Sequence, residues 1–318
     1  MTGTILVTGG GGAVGSAVCE FLAERGCKVR AMVRQKDARS EKLAARGVEI
    51  AAGDLCDLHA AHRAMEGCDR VYFGMSVSPA YLEATVNMAA VAKHHQIKAF
   101  VNISQMTVSQ MGITSTTDSP QQKMHWLAEQ ALGWSGLPVV TVRPTAFLNT
   151  FFLRLSMQSV RQHRQIRLPF GTGKISPVAS DDVARVIATV LEAPEGHVGR
   201  IYELTGPRSQ SMTEIAEEFS EALDETITYV DVPFEPWRKA LADSGALSPH
   251  VLTHLATMAL LIQENRYDRL TSDVERVTGS PALDLTGWFW TGLIERVSWD
   301  RRSRTCGEVR RRARSRWC

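Results

Sequence analysis

The sequence predicts an α/β fold, a doubly wound parallel sheet followed by a smaller, helix-rich C-terminal part. Three observations lead there. Short β-branched runs alternate strictly with helical patterns from residue 3 to about 143. A glycine-rich turn joins the first run to the first helix. After residue 144 the alternation gives way to scattered helices and short strands. Repeated strand–helix–strand units need right-handed crossovers, and these build a parallel sheet with helices on both faces.

In chain order, the strands are TILVT, KVRAMV, VEIAA, RVYFG, KAFVNI and PVVTV. Between them lie AVGSAVCEFLAERG, DARSEKLAARG, LHAAHRAMEG, PAYLEATVNMAAVAKHHQ and QQKMHWLAEQALGWSG, each with apolar residues at helical spacing. The helices stop at Arg25-Gly26, Arg46-Gly47, Glu66-Gly67 and Ser135-Gly136, since glycine accepts the left-handed turn that ends a helix. The second part reads as a helix near 147–163, the loop LPFGTGKISPVAS and a helix at 180–193. The strand RIYELTG, the helix SMTEIAEEFSEAL and the strand ITYVDVP follow, with more helix to about 278. These pieces are too few and too scattered for an independent second sheet. The expected organisation is a Rossmann-like dinucleotide-binding domain over 1–145 and a substrate or partner subdomain over 146–279. The stretch 280–318 is expected to be a disordered basic tail.

The charge pattern supports that division. Residues 301–318 hold eight arginines and one acid, a net +7; the whole chain is +2, which leaves −5 on residues 1–300. A mildly acidic body gives no reason to expect nucleic-acid binding, although the tail by itself has the composition of a basic arm. The six cysteines show no Cys-x-x-Cys and no metal spacing with histidine, as expected for free thiols of a reducing compartment. The first residues enter a strand at once, and the longest apolar run, LATMALLI, is too short to cross a bilayer. A soluble cytoplasmic protein is expected.

The first strand runs into Val7-Thr8-Gly9-Gly10-Gly11-Gly12-Ala13-Val14-Gly15. Glycines 9, 12 and 15 permit a tight turn and close backbone approach, and the next helix offers free N–H groups and its positive dipole end. This is the logic of dinucleotide binding, with Thr8, Gly9, Gly11, Gly12, Ala13, Val14 and Gly15 as candidates. After the second strand comes Arg34-Gln35-Lys36, with no acid before Asp37. Arg34 and Lys36 suit a 2′-phosphate, so NADP(H) is favoured over NAD(H); the plain alternative is an exposed basic turn. Asp54 and Leu55 after the third strand are candidates for the adenine, while Asp57 reads as the cap of the next helix.

With these residues in place, the chain resembles the NmrA-like group of atypical short-chain dehydrogenases/reductases. Thr8 to Gly15, Val33-Arg34 and Gly53-Asp54-Leu55-Cys56-Asp57 match its cofactor segments. Ser135-Gly136-Leu137-Pro138, Val142-Arg143-Pro144-Thr145-Ala146-Phe147 with Asn149, Ser180-Asp181-Asp182-Val183-Ala184 and Tyr202 to Pro207 match its second half. The resemblance spans about 1–279. It implies either reduction of quinones, azo or triphenylmethane dyes and other conjugated acceptors, or a redox-sensing regulator that binds the dinucleotide.

In the wider superfamily a serine at the end of the fifth strand joins Tyr-x-x-x-Lys on the next helix. Counting back from Glu129 places His125 at the lysine position and Gln121 at the tyrosine position, with Ser104 as the serine. Glutamine does not titrate, so it is no general acid. His125 can donate to a ribose hydroxyl and, near neutral pH, shuttle a proton; as an alternative it is a polar residue on a half-exposed face. Lys123 is two residues out of register, and Tyr81 opens a different helix. The acceptor pocket is expected among Phe73, Met75, Met106, Phe147 and Phe151, with Asn149 as a polar group. The function so implied is NAD(P)H-dependent reduction of a conjugated small-molecule acceptor without a tyrosine dyad. The alternative is a catalytically silent NADP(H) sensor acting through a partner protein.

Overall fold

The computed structural model describes residues 3–147 and 151–284. Strands β1 (Thr4–Thr8), β2 (Val29–Val33) and β3 (Glu49–Ala52) alternate with helices α1 (Ala13–Glu24) and α2 (Ala38–Ala44). Helix α3 (Leu58–Met65), strand β4 (Cys68–Phe73), helix α4 (Tyr81–His94), strand β5 (Ala99–Ile103), helix α5 (Pro120–Trp134) and strand β6 (Val139–Pro144) continue the series. Every element expected up to residue 144 is present.

Beyond it come α6 (Phe151–His163), β7 (Gln165–Leu168), β8 (Lys174–Ile175), α7 (Ser180–Glu192), β9 (Ile201–Leu204) and β10 (Gln210–Ser211). The described chain closes with α8 (Met212–Leu223), β11 (Thr228–Asp231), α9 (Phe234–Asp243), α10 (Pro249–Gln263) and α11 (Asp273–Thr278).

Seven parallel strands form the central sheet in the order β3-β2-β1-β4-β5-β6-β9. The order reverses between β1 and β4, so the crevice for a ligand opens at the carboxyl ends of those strands. On one face, Val18 and Leu22 of α1 and Val183, Val186, Ile187 and Val190 of α7 pack on Ile5, Val101 and Val142. On the other, Ala61 and Met65 of α3, Met88 and Val91 of α4 and Ala128 and Leu132 of α5 cover Leu6, Val71 and Phe100.

The sheet does not respect the expected division at 145. β9 lies beside β6, in register from Thr141↔Ile201 to Pro144↔Leu204, and α7 covers the same face as α1. What remains of the second part is two small ribbons, β8–β10 and β7–β11, around a core of Ile166, Leu168, Phe170, Ile215, Phe219 and Ile262. A short apolar run carries no record of its parallel partner, so β9 reads locally as a stray strand.

The first residues of the stretch expected to be a tail are docked. Asp182, fully buried at the start of α7, accepts from the Leu283 N–H at 2.7 Å, and Arg185 donates to the Pro281 carbonyl at 3.1 Å. Ala282 and Leu283 pack on the two cores. Residues 285–318 lie outside the described residues, as do Asn149 and the side chain of Phe151.

Candidate active site

The turn between β1 and α1 is built by close backbone packing. Gly9 has φ +63°, and a Cβ there would sit 2.7 Å from the Gly74 carbonyl after β4. A Cβ on Gly15, in the first turn of α1, would drive into the Gly9 carbonyl and sit 2.7 Å from its carbon. Gly12 is the N-cap of α1, and no side chain bonds to the first turn, so the turn presents its N–H groups and positive dipole end outward. Thr8 ties the floor together, its hydroxyl accepting from Gly74 N–H at 2.8 Å and donating to Gly74 O at 2.9 Å.

After β2, Arg34 and Lys36 are exposed and make no ion pair among the described residues. The first acid, Asp37, is already engaged. It caps α2 by accepting from Arg39 and Ser40 N–H groups, and it pairs with the Arg39 guanidinium at 2.6 Å. Arg39 in turn donates to the Gly11 carbonyl at 2.9 Å, which latches the glycine turn to α2. Asp54 accepts from Cys56 N–H at 2.9 Å, and Asp57 caps α3 as expected.

At the end of β5 lies a second set of groups. The Ser104 hydroxyl, both amide atoms of Asn102 and Nε2 of Gln105 are buried with no partner among the described residues. The Tyr81 hydroxyl donates to the Ile103 carbonyl at 2.9 Å, and its ring lies 4.1 Å from that of His125. Tyr81 thereby joins the end of β5 to α5. Burial holds its phenol well above the ordinary range.

Helix α5 starts at Ser119, which caps it, with Pro120 in the first turn. Gln121 is buried, and its Oε1 accepts from the Ser78 N–H at 3.1 Å and from His250 Nε2 at 2.8 Å. A backbone N–H is an unambiguous donor, so this contact orients the amide and turns its NH2 towards His125 Nε2, 3.1 Å away. His125 Nε2 is therefore an acceptor and the proton resides on Nδ1. That atom is buried without a partner among the described residues. Burial, with His254 second, pushes the His125 pKa down to about 3. Burial therefore works against a proton shuttle near neutrality and favours a neutral ring that donates through Nδ1–H.

Two further histidines complete the cluster, both missed in the sequence. His250 and His254 stand four apart on α10; His250 meets Gln121, and His254 Nδ1 lies 2.8 Å from the Ser119 hydroxyl. Burial, then His250, pushes His254 down to about 4. Their i,i+4 spacing placed both on one helix face, the only local signal they gave.

The register mark Glu129 faces β6. It grips Arg143 at 3.0 and 2.5 Å, Arg143 reaches Glu203 of β9 at 3.6 Å, and Glu203 meets Arg269 at 2.7 Å. Glu129 and Arg143 are only 8% and 14% exposed. This network ties α5 to β6 and β9. Arg143→Ala strands the largely buried Glu129 carboxylate, while Glu203 keeps Arg269, and should cost about 3–5 kcal/mol, read from denaturant unfolding. An unchanged midpoint would show the network to be solvated.

A model of the NmrA-like family matches residues 1–294. The chain belongs to the NmrA-like family. An NAD(P)H azoreductase from Xenophilus azovorans is 31% identical over 280 residues, covering 87% of this chain and 94% of that protein. The fold is similar to that of an NADPH-dependent quinone oxidoreductase from Escherichia coli complexed with NADPH. Its TM-score is 0.77 at 23% identity, covering 89% of this chain and 97% of that one. It is also similar to NmrA, a negative transcriptional regulator in complex with NADP, with TM-score 0.75 at 18% identity and coverage of 90% and 94%. The family match runs past 279, the expected limit of the resemblance, in keeping with the docked residues 281–284.

In this NmrA-like chain the expected pocket residues divide. Phe73 is wholly buried core, 5.8 Å from the Tyr81 ring and 6.1 Å from Phe100. Met106 is buried in the turn after β5. Met75 packs with the α3–α4 layer and Phe147 with the α1–α7 layer, on the two sides of the sheet's carboxyl edge.

Proposed function

We propose that this chain is an NADPH-dependent oxidoreductase that reduces a conjugated small-molecule acceptor, of quinone or azo type, without a titrating general acid. The residues present fit a dinucleotide. The glycine turn admits no Cβ at Gly15, α1 has no side-chain cap, and buried polar atoms of Ser104 and His125 await partners. Gly9 to Gly15 and the first turn of α1 would hold the pyrophosphate. Arg34 and Lys36 would hold a 2′-phosphate, since Asp37 is spent on Arg39 and the α2 cap. Asp54 and Leu55 would border the adenine, and His125 Nδ1–H and the Ser104 hydroxyl would orient the nicotinamide ribose. When bound, the cofactor supplies the hydride.

One observation carries the choice of acceptor. At the place of the catalytic tyrosine stands Gln121, whose amide is committed to Ser78, His250 and His125, beside a His125 that stays neutral. Among the described residues, Gln121 and His125 can donate hydrogen bonds but supply no acid to protonate a localised alkoxide. A conjugated acceptor spreads the arriving charge and takes its proton from solvent. The azoreductase relative supports this reading.

The test is consumption of NADPH with a panel of quinones, azo dyes and enones, alongside direct binding of NADPH and NADH. Turnover on at least one conjugated acceptor and none on simple alcohols or ketones is expected. Arg34→Ala should narrow the preference for NADPH over NADH by roughly tenfold or more, as one charge-assisted hydrogen bond contributes about 1.5–3 kcal/mol. An unchanged ratio would remove the 2′-phosphate role. Tight NADPH binding with no turnover on any acceptor would instead favour a silent NADP(H) sensor. Gln121 and a neutral His125 in place of a titrating pair are compatible with that second reading, which the likeness to the NADP-bound regulator leaves open.

A further inference from the structure

A separate group of side chains lies at the opposite end of the sheet. His62 is in the last turn of α3, His94 is the last residue of α4, and His95 ends that helix. One ligand-capable nitrogen from each ring lies within 4.8 Å of the other two. His62 Nδ1 and His95 Nε2 are 3.0 Å apart, with the two rings stacked at 4.8 Å. The His94 ring stands edge-on to both, at 5.3 and 5.1 Å. All three precede β4 or β5, at the amino edge of the sheet, away from the glycine turn.

The frame that holds them is rigid. Ala61, Ala64 and Met65 of α3 pack with Met88, Val91 and Ala92 of α4 in one buried cluster, so the three Cα positions are set by core packing. A single histidine at a helix end is accounted for by the helix dipole. Three imidazoles in mutual contact are not, because protonating one disfavours protonating the next. Lys93, next to His94 in the chain, is turned away and donates to the Ser135 carbonyl at 2.9 Å. What converges is three imidazole rings at the carboxyl ends of two helices.

We propose that His62, His94 and His95 form a three-imidazole site for a borderline divalent transition-metal cation such as Zn2+, with the remaining coordination position open to solvent. Zn–N bonds of about 2.0–2.1 Å in tetrahedral geometry put ligand nitrogens roughly 3.3 Å apart. The present spacing approaches that and needs only side-chain rotation. Imidazole ligands select Zn2+, Ni2+ or Cu2+ over Mg2+ and Ca2+, which take oxygen. The bound ion would clamp α3 to α4 and take no part in hydride transfer.

The experiment titrates Zn2+ into the untagged full chain against a chromophoric chelator, with thermal melts in parallel. One equivalent should bind, raise the melting temperature by several degrees, and be displaced by Ni2+ but not by Mg2+. His62→Gln with His95→Gln should weaken binding at least a hundredfold and abolish the thermal shift. His94→Gln on an exposed ring should weaken it at least tenfold and leave the metal-free melting temperature unchanged. Binding equally tight in the variants would place the ion elsewhere, among the cysteines or the C-terminal residues, and overturn the assignment. So would a full chain that binds no more Zn2+ than the double variant.

Discussion

Gly15→Ala should lower the affinity for NADP(H) by at least a hundredfold while leaving a folded protein of reduced stability. The added Cβ would overlap the Gly9 carbonyl and lie 3.1 Å from the Gly10 nitrogen, both backbone atoms of the turn itself. No side-chain rotation relieves such a contact. Either α1 moves away from β1 or the turn opens, and the first choice is resisted by Val18 and Leu22, both wholly buried on the sheet. The turn therefore yields, and with it the spacing of the N–H groups that would face the pyrophosphate. Overpacking of this kind costs typically 1–3 kcal/mol, and a hundredfold loss in binding corresponds to about 2.8 kcal/mol. Calorimetric titration with NADPH and a denaturant midpoint separate the two effects. Wild-type affinity in a stably folded Gly15→Ala protein would dismiss the turn as the cofactor site.

The second large effect is acid destabilisation well above the range where carboxylates titrate. His125 and His254 titrate at about 3 and about 4 in the folded chain, against 6.5 for an ordinary histidine. Both folded values are depressed, so between pH 7 and pH 5 the unfolded chain takes up protons that the folded chain refuses. Stability is then fully present above about 6.5 and falls as pH falls. At pH 5 both folded values are already below the solution pH, so the loss hardly depends on their magnitude. It comes to about 2 kcal/mol for each ring, roughly 4 kcal/mol together. For a chain of this size that is on the order of 10 °C in melting temperature. His197 and His250 are lowered by burial as well and act in the same direction. Melts at pH 7 and 5 measure the drop, and His254→Gln should reduce it by about half. A melting temperature flat across this interval would mean that both rings reach water in the native state.

Gln121 and His125 show how far the sequence reached into the site. Their positions on α5, in step with Glu129, followed from a helical repeat and a family spacing, and the structure brings both to the end of β5 through Tyr81. The titration of His125 did not follow. It depends on burial by α4 and α10 and on His254, which is 129 residues away in sequence. Neither the tautomer nor the orphan Nδ1–H could be deduced without Ser78 N–H to orient Gln121.

What the sequence determined by itself was whatever near neighbours decide. The alternation of elements to residue 144, the packing of Gly15 on Gly9 in the glycine turn and the Asp57 cap are of this kind. Each rests on interactions within a few residues, where spacing and residue type suffice. Only the tertiary structure decided that β9 is the seventh strand, that Glu129 grips Arg143, and that α10 delivers two histidines to α5. It alone also brings three imidazoles of α3 and α4 together. These contacts join residues whose separation along the chain carries no periodic signal. They form because burying apolar faces of α4, α5, α7 and α10 leaves one packing arrangement, and the polar groups on those faces meet where that packing puts them.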